Sequence, residues 1–350
     1  MALTLTHGPT AAGFARYLAL FLPVFWAWAG FTFYATRFDT DDLVYRLLTL
    51  LGMFAVAALA SAVPDALHGG QGRFVLAYVA VRLILILLYV RAYRHVEAAR
   101  GLAGWFIFMF STAVVFWLVS LAVPSPWRYV LWGLALAFEY AAPIRAWRMV
   151  RGAPVHPAHI PERFGLLVII VLGEAVIAVV LGTASVSWTA ASSAGAFGGF
   201  VAAASIWWLY FGFLDASAAV TRSVLAGMTF VYSHYLVAAG IAAFGVGVRL
   251  DILSAAPGPR YDEAGWIAAA GVAVCMAGLA AVQLATPPTL FDVDVALRIA
   301  TALFAAVLAL LSSWLSPVLV LWLLATALVA QVVFEVARHE LHAMRLPRIL

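Results

Sequence analysis

Apolar residues along this chain gather into long runs separated by short polar segments, and eleven such runs can be marked, at 14–35, 44–63, 73–93, 102–122, 127–147, 163–184, 190–213, 227–248, 264–285, 295–313 and 316–337. About 20 mainly apolar residues are what an α-helix needs to cross the hydrocarbon of a bilayer. A helix also satisfies its own backbone hydrogen bonds there, where no water can do so. Turn chemistry punctuates the runs: Val63-Pro64-Asp65, Pro124-Ser125-Pro126, Pro257-Gly258-Pro259 and Pro287-Pro288. The longest linkers, near 148–162 and 249–263, leave no room for a soluble domain. The pattern predicts an all-α polytopic membrane protein of about eleven transmembrane helices.

Composition agrees. Of 350 residues 66% are hydrophobic and 10% charged, with a mean hydropathy of +1.03. A soluble domain carries about a quarter charged residues, so this chain cannot cover a globular surface. Its 23 Phe, 13 Trp and 12 Tyr exclude a disordered chain. The single Cys275 excludes a disulfide scaffold.

The net charge of +4 comes from 20 arginines, with no lysine, against 16 acids. The arginines stand in short segments between apolar runs and not on a soluble face, which argues against a nucleic-acid partner. There they set topology, because positive residues stay in the cytoplasm. Fourteen fall on the side of the C-terminus, five on the other, and Arg82 lies inside a run. The expectation is a cell (plasma) membrane protein with a cytoplasmic C-terminus and an N-terminus outside. The first 13 residues lack the basic start and cleavage site of a secretory signal.

Two stretches carry a family resemblance. One is residues 31–63, FTFYATRFDTDDLVYRLLTLLGMFAVAALASAV; the other is 159–182, HIPERFGLLVIIVLGEAVIAVVLG, followed by Trp207-Trp208-Leu209-Tyr210 and Tyr232-Ser233-His234. Together they resemble the bacterial low temperature requirement A (LtrA) family. The resemblance covers most of the chain, and the ERFG…LGE helix is its most specific element. It implies an integral membrane protein linked to growth in the cold and names no substrate or reaction. Family members open with an extra helix bearing a Glu-Leu-Phe-Phe-Asp-like motif, which this sequence lacks. Adding it gives twelve spans in two related halves of six, divided here as 1–161 and 162–350. Trp26-Ala-Trp28 and Trp207-Trp208, each followed by an acidic turn and a fresh helix, echo one another across the halves. Halves related by an axis along the membrane normal are a common transporter plan. The ERFG-type opening also resembles, in part, bacterial and lysosomal potassium channels of two six-helix repeats, whose serine and aspartate are absent here.

Ionisable groups within the runs are the candidates for function, since a charge at mid-membrane costs at least about 2.5–3.5 kcal/mol. Glu174 is near the middle of its run, on a stripe with Ala178 and Gly182 that predicts close packing against protein. Glu139 shares a face with Ala135 and Ala142, and Arg82 shares one with Tyr78, Tyr89 and Tyr93. A guanidinium does not lose its proton, so Arg82 requires a carboxylate, with Glu139 or Glu174 the natural partners, or a water-filled cavity, and a structural ion pair is the first reading of it. One arginine neutralises one acid. The other glutamate is then left to take up and release protons, because burial disfavours its charge. His234 can relay protons with Glu174 or bond locally beside Tyr232 and Tyr235.

Other signals are weaker. His156, His159 and Glu162, and separately His339, Glu340 and His342, have zinc-ligand chemistry, but prolines break the first group and no metalloprotease spacing occurs. Asp39, Asp41 and Asp42 fit a helix start better than a cation site, with Asp39-Thr40 as the cap. Asp215 reads as a helix-end residue, and Gly195 and Gly199 as helix packing. No cofactor or metal is expected.

The reading that results is a secondary transporter or ion-conducting protein, in contact with the lipid bilayer and with a small solute or a proton or cation. Its ion- or substrate-binding set is Glu174, Arg82, Glu139 and His234. The rivals are a membrane-embedded enzyme or lipid-handling protein, which requires acids, histidines or metal at one interface, and a structural or regulatory membrane protein.

Overall fold

The structure, a computed structural model, describes residues 10–38, 40–149, 159–212, 223–254, 261, 263–285 and 292–345. Among them stand eleven α-helices and no strand: α1 (Ala11–Ala35), α2 (Leu43–Ala62), α3 (Gln71–His95), α4 (Arg100–Val119), α5 (Trp127–Met149), α6 (His159–Ala184), α7 (Ala190–Phe211), α8 (Val224–Ser254), α9 (Ala264–Ala285), α10 (Val293–Leu311) and α11 (Pro317–Arg345). Ten of the described helices are long and apolar enough to cross a membrane. The eleventh, α5, is 23 residues long but falls short of that apolarity, carrying Arg128, Glu139, Arg145 and Arg148.

Two helices outrun the pattern that predicts them. α8 extends from Val224 to Ser254, beyond the apolar run at 227–248, so Arg249 and Asp251 are helical and not in a linker. At 31 residues it measures about 46 Å, well over the roughly 30 Å of hydrocarbon. α11 likewise continues to Arg345.

The chain divides into two compact units, the first spanning Ala15–Ile160 and the second Pro161–Leu350. In the first, α2, α3, α4 and α5 pack in chain order as successive neighbours. Large rings fill the seams: Phe74, Tyr78 and Trp132 surround Trp117 with centroids 6.2, 4.8 and 5.2 Å away. α1 joins through Trp26, stacked 4.0 Å from Tyr140 on α5, and through Tyr34, edge-on to Tyr89 of α3 at 5.2 Å. α2 starts at Asp42, whose carboxylate accepts from the Tyr45 backbone N–H at 3.0 Å. The cap is thus Asp42 and not Asp39-Thr40; Asp39 lies outside the described residues. Asp42 also pairs with Arg91 of α3, and Thr40 accepts from Arg91 at 3.0 Å, which ties the start of α2 to α3. The Tyr45 N–H, with Arg91 adding, holds the Asp42 carboxyl below the usual carboxylate range.

The second unit is built on small residues. Apolar side chains gain nothing by leaving lipid for one another, so helices associate there through close van der Waals packing and polar links. α8 and α9 approach so closely that a Cβ at Gly240 meets the Cys275 backbone N at 2.4 Å, and one at Gly271 meets the Phe244 N at 2.5 Å. Gly247 abuts Ala268, and Gly278 abuts Val237. On α7, Gly199 receives Val248 of α8 and Gly198 receives Trp322 of α11. Gly182 of α6 rests on Ile252, while Gly245 of α8 rests on Ala175 of α6.

Gly271→Leu therefore lowers the melting temperature of the detergent-solubilised protein, with a cost of at least about 1–3 kcal/mol for overpacking. Gly133→Ala, where nothing lies within 4 Å of a new Cβ, leaves it unchanged or slightly raised. The Asp42 cap has an acid limit. A carboxyl held low in the folded state contributes stability above the ordinary carboxylate range and loses it as pH falls through the lowered value. Amide hydrogen exchange at the first turn of α2 speeds up on acidification, and in Asp42→Asn, an uncharged cap, that acid dependence disappears.

Candidate functional site

Among the described residues each unit encloses one fully buried arginine–glutamate pair, and in both pairs neither side chain has any exposed surface. In the first, Arg82 is the twelfth of 25 residues of α3 and Glu139 the thirteenth of 23 of α5, so both are at mid-helix. Arg82 Nη2 is 2.6 Å from Glu139 Oε2. Tyr78, one turn before Arg82 on the same face, donates its hydroxyl to Glu139 Oε2 at 2.5 Å and accepts from Arg82 Nε at 3.0 Å and from Nη2. The guanidinium also lies over the Tyr78 and Phe110 rings, 4.7 and 5.4 Å from their centroids. Glu139 sits between Ala135 and Ala142, both fully buried, which lets α5 come close. Gly30 of α1 makes room on the other side: a Cβ there stands 3.0 Å from Arg82 Nη1.

This site is incompletely satisfied. Arg82 Nη1 and Glu139 Oε1 are buried without a hydrogen-bond partner among the described residues, and the Trp117 indole is directed at the Glu139 carboxyl. Pro143, four residues on from Glu139 in α5, has no N–H to offer the Glu139 carbonyl. A guanidinium donor and a carboxylate acceptor without a partner among the described residues thus gather at mid-helix depth, where an unmade hydrogen bond costs about 1–3 kcal/mol.

The second pair differs. Arg298 of α10 meets Glu335 of α11 at 3.2 Å and donates to the Leu209 carbonyl at 3.1 Å and to Gln283 of α9. Leu209 is in the last turn of α7, so Arg298 places a cation at the negative end of that helix. Gln331 donates to Glu335 Oε1 at 2.8 Å and accepts from Thr301 at 2.6 Å. Four helices are linked by one network, in which, among the described residues, Arg298 Nε alone is without a partner. Glu335 is the nineteenth residue of the 22-residue span Pro317–Arg338, near its end.

These pairs correct the charge arithmetic of the sequence, which counts one buried cation against two acids. Arg298, grouped there with the topology-setting arginines, is a second buried cation, and Glu335 matches it. The stripe expected to hold Glu174 against protein is displaced by one residue. α6 buries Leu172, Ala175, Val179 and Gly182, set by the contacts of Ala175 with Gly245 and Gly182 with Ile252. Glu174, about 100° away from Ala175 on the helix, is exposed and has no hydrogen bond or ion pair among the described residues.

His234 is fully buried, and its partner is Tyr210 of α7 instead of Tyr232 or Tyr235. Its Nδ1 is 2.6 Å from the Phe230 carbonyl, which can only accept, so the proton is on Nδ1 and Tyr210 donates to Nε2 at 2.8 Å. Both ring nitrogens are engaged in a neutral ring. Phe164 of the ERFG stretch packs edge-on to this imidazole at 4.9 Å.

Among the described residues no three His, Cys, Asp or Glu side chains are placed to hold a metal ion. Asp41 and Asp42 are engaged by Arg46 and Arg91. Asp215 and His156 lie outside the described residues, as do the side chains of His339, Glu340 and His342. Four buried charged residues are not marked out by the sequence pattern among the described residues: Asp251, Asp294, Arg298 and Glu335. Glu335 carries the same signal as Glu139, an acid inside an apolar run, whereas Arg298 and Asp251 stand at run ends, where charge reads as interface.

Comparison with known proteins follows the same lines. The model of the bacterial low temperature requirement A protein family matches residues 1–333. An uncharacterized protein of Rhizobium meliloti (strain 1021) is 29% identical over 256 residues, covering 67% of this chain and 61% of that protein, so the chain spans less than two thirds of that relative's length. No solved structure matches. With the family model spanning 1–333 and ten described helices fit to cross a membrane, this multi-pass membrane protein belongs to the bacterial low temperature requirement A (LtrA) family.

Proposed function

We propose that the protein is a secondary transporter or an ion-conducting protein, and that Arg82, Glu139 and Tyr78 form its polar site in the first unit. The observation that carries this reading is the pair of atoms, Arg82 Nη1 and Glu139 Oε1, buried at mid-helix depth without a partner among the described residues. A pair kept only for packing gains from complete satisfaction, as the Arg298–Glu335 network nearly shows. A pair with a spare donor and a spare acceptor can bind water, an ion or a small polar solute in exchange. Intramembrane ionisable groups mark such pathways by default.

In this reading Glu174 is a second protonatable group, exposed and unpaired at mid-helix. His234 holds the packing around the ERFG stretch and offers protons only once its bonds to Tyr210 and Phe230 open. The two-half plan, divided at 161/162, belongs to the proposal too. It is supported by an acid on the last helix of each unit, Glu139 on α5 and Glu335 on α11. The arginines come from α3 and α10, which that plan does not equate. Placement in the plasma membrane with a cytoplasmic C-terminus rests on the arginine bias: withdrawing Arg298 into the core takes the fourteen to thirteen, still against five.

Reconstituted in proteoliposomes with a pH-sensitive dye inside, the wild type should show a flux under imposed ion gradients. Glu139→Gln and Glu174→Gln should each lose it while remaining monodisperse and thermally stable. Equal flux in all three proteins, or none in any, contradicts the transport reading. Removing Arg298 alone, as Arg298→Met, strands Glu335 and should cost about 3–5 kcal/mol of stability, read as a fall in melting temperature.

A further inference from the structure

We propose that Asp251 is a second, separate proton-binding site, a carboxyl that carries its proton between α7 and α8 and whose ionisation loosens their contact. Asp251 is 3% exposed, and both of its carboxylate oxygens are buried without a hydrogen-bond partner among the described residues. It points at α7: its Oδ2 stands 3.0 Å from where a Cβ at Gly195 would be. One turn along, Val248 occupies the same relation to Gly199, at 2.3 Å. The Gly-x-x-x-Gly face of α7 thus receives one valine and one acid from α8; a Cβ at Gly199 would overlap Val248, and one at Gly195 would crowd the Asp251 carboxyl.

The geometry selects the ligand. An isolated ionised carboxylate buried in this way is too costly to persist, and the group neutralises instead. A metal cation requires several oxygen ligands, six or more for calcium or magnesium. Among the described residues no second oxygen bonds the Asp251 carboxyl, whose neighbour is a glycine of an apolar seam. A proton requires one oxygen. Its binding converts carboxylate to carboxylic acid and releases nothing.

The described charged groups on the packed elements lie elsewhere. Arg249 is two residues away and so about 200° around α8; its Nε is itself without a partner. On α6 the level of Asp251 is marked by Gly182, which touches Ile252. His159, Glu162 and Arg163 are about 20 residues or 30 Å from there, and Glu174 two turns. On α7 the titratable group is Tyr210, bonded to His234 four turns from Gly195. Before α9, Glu263 is exposed and the Tyr261 N–H bonds Ser254; on α9 itself Cys275 packs at Gly240. α11 meets this end at Pro317, far from Glu335 and Arg338. Asp251 is the twenty-eighth of the 31 residues of α8, about 5 Å from the helix end, so the path for a proton is short. Ionisation leaves a charge facing glycine backbone, which separation of α7 from α8 and entry of water relieve.

The test is infrared spectroscopy of the full chain in lipid, titrated from mildly acidic to alkaline pH. The wild type should show a carboxylic-acid carbonyl band that is lost on alkalinisation, with a parallel rise in hydrogen exchange across 190–212. Asp251→Asn should abolish the band and the pH-dependent rise, while Glu139→Gln and Glu335→Gln keep both. Carboxyl labelling of aspartate in the wild type should shift the same band, which decides the matter even if the asparagine variant does not fold. Absence of the band, its survival in Asp251→Asn, its failure to shift on labelling, or its loss on adding sodium at constant pH overturns the proposal. The measurement reads the acid directly, so its outcome is independent of whether any flux is found.

Discussion

An arginine or a glutamate cannot be left alone inside a helix bundle whose surroundings are hydrocarbon, and each unit of this protein meets that constraint internally. Arg82 closes on Glu139 in the first unit, and Arg298 closes on Glu335 in the second, all four without exposed surface. The desolvation of such a pair consumes most of its Coulomb attraction. What distinguishes the two is therefore the surrounding hydrogen bonds. Around Arg298 they come from Gln283, the Leu209 carbonyl, Gln331 and Thr301. Around Arg82 they come from Tyr78, and the remaining donor and acceptor atoms stay open. One pair fastens four helices together; the other leaves a buried donor and acceptor without a partner among the described residues.

Packing of the second unit follows from the same medium. Because lipid supplies no hydrophobic drive between helices, α7, α8 and α9 rely on backbone proximity, which glycine at 195, 199, 240, 247 and 271 permits. Seams this tight exclude water, and that gives an acid within one its consequence. The Asp251 carboxyl lies in the space that Gly195 leaves, and on the proposal made above its protonation state and the closeness of α7 to α8 are linked.

Helix identity and most boundaries were legible because each crossing segment is an apolar run of membrane length. The misjudged ends, at α8 and α11, are those where a helix continues past its apolar run on polar residues such as Arg249, Asp251 and Arg338. Arg82 and Glu139 stood out because they interrupt the middle of runs. Arg298 did not, since a basic residue four positions into a run is what membrane topology also produces. Glu174 shows the limit of stripe arithmetic: a shift of one residue, fixed by the contact of Ala175 with Gly245, turns an expected packed acid into an exposed one. His234 was visible as a buried titratable group, but its partner was not, because Tyr210 is 24 residues away on another helix.

The most direct test compares whole-pair replacements by apolar residues of similar size, which remove both charges and strand neither. Arg298→Met with Glu335→Leu, and Arg82→Met with Glu139→Leu, should both give folded protein of near wild-type melting temperature, since such exchanges of a buried pair are often neutral or stabilising. Flux in proteoliposomes should then survive in the first double variant and vanish in the second. Flux retained after loss of the Arg82–Glu139 pair, or lost from a folded protein lacking only Arg298 and Glu335, would contradict the assignment of one pair to function and the other to structure.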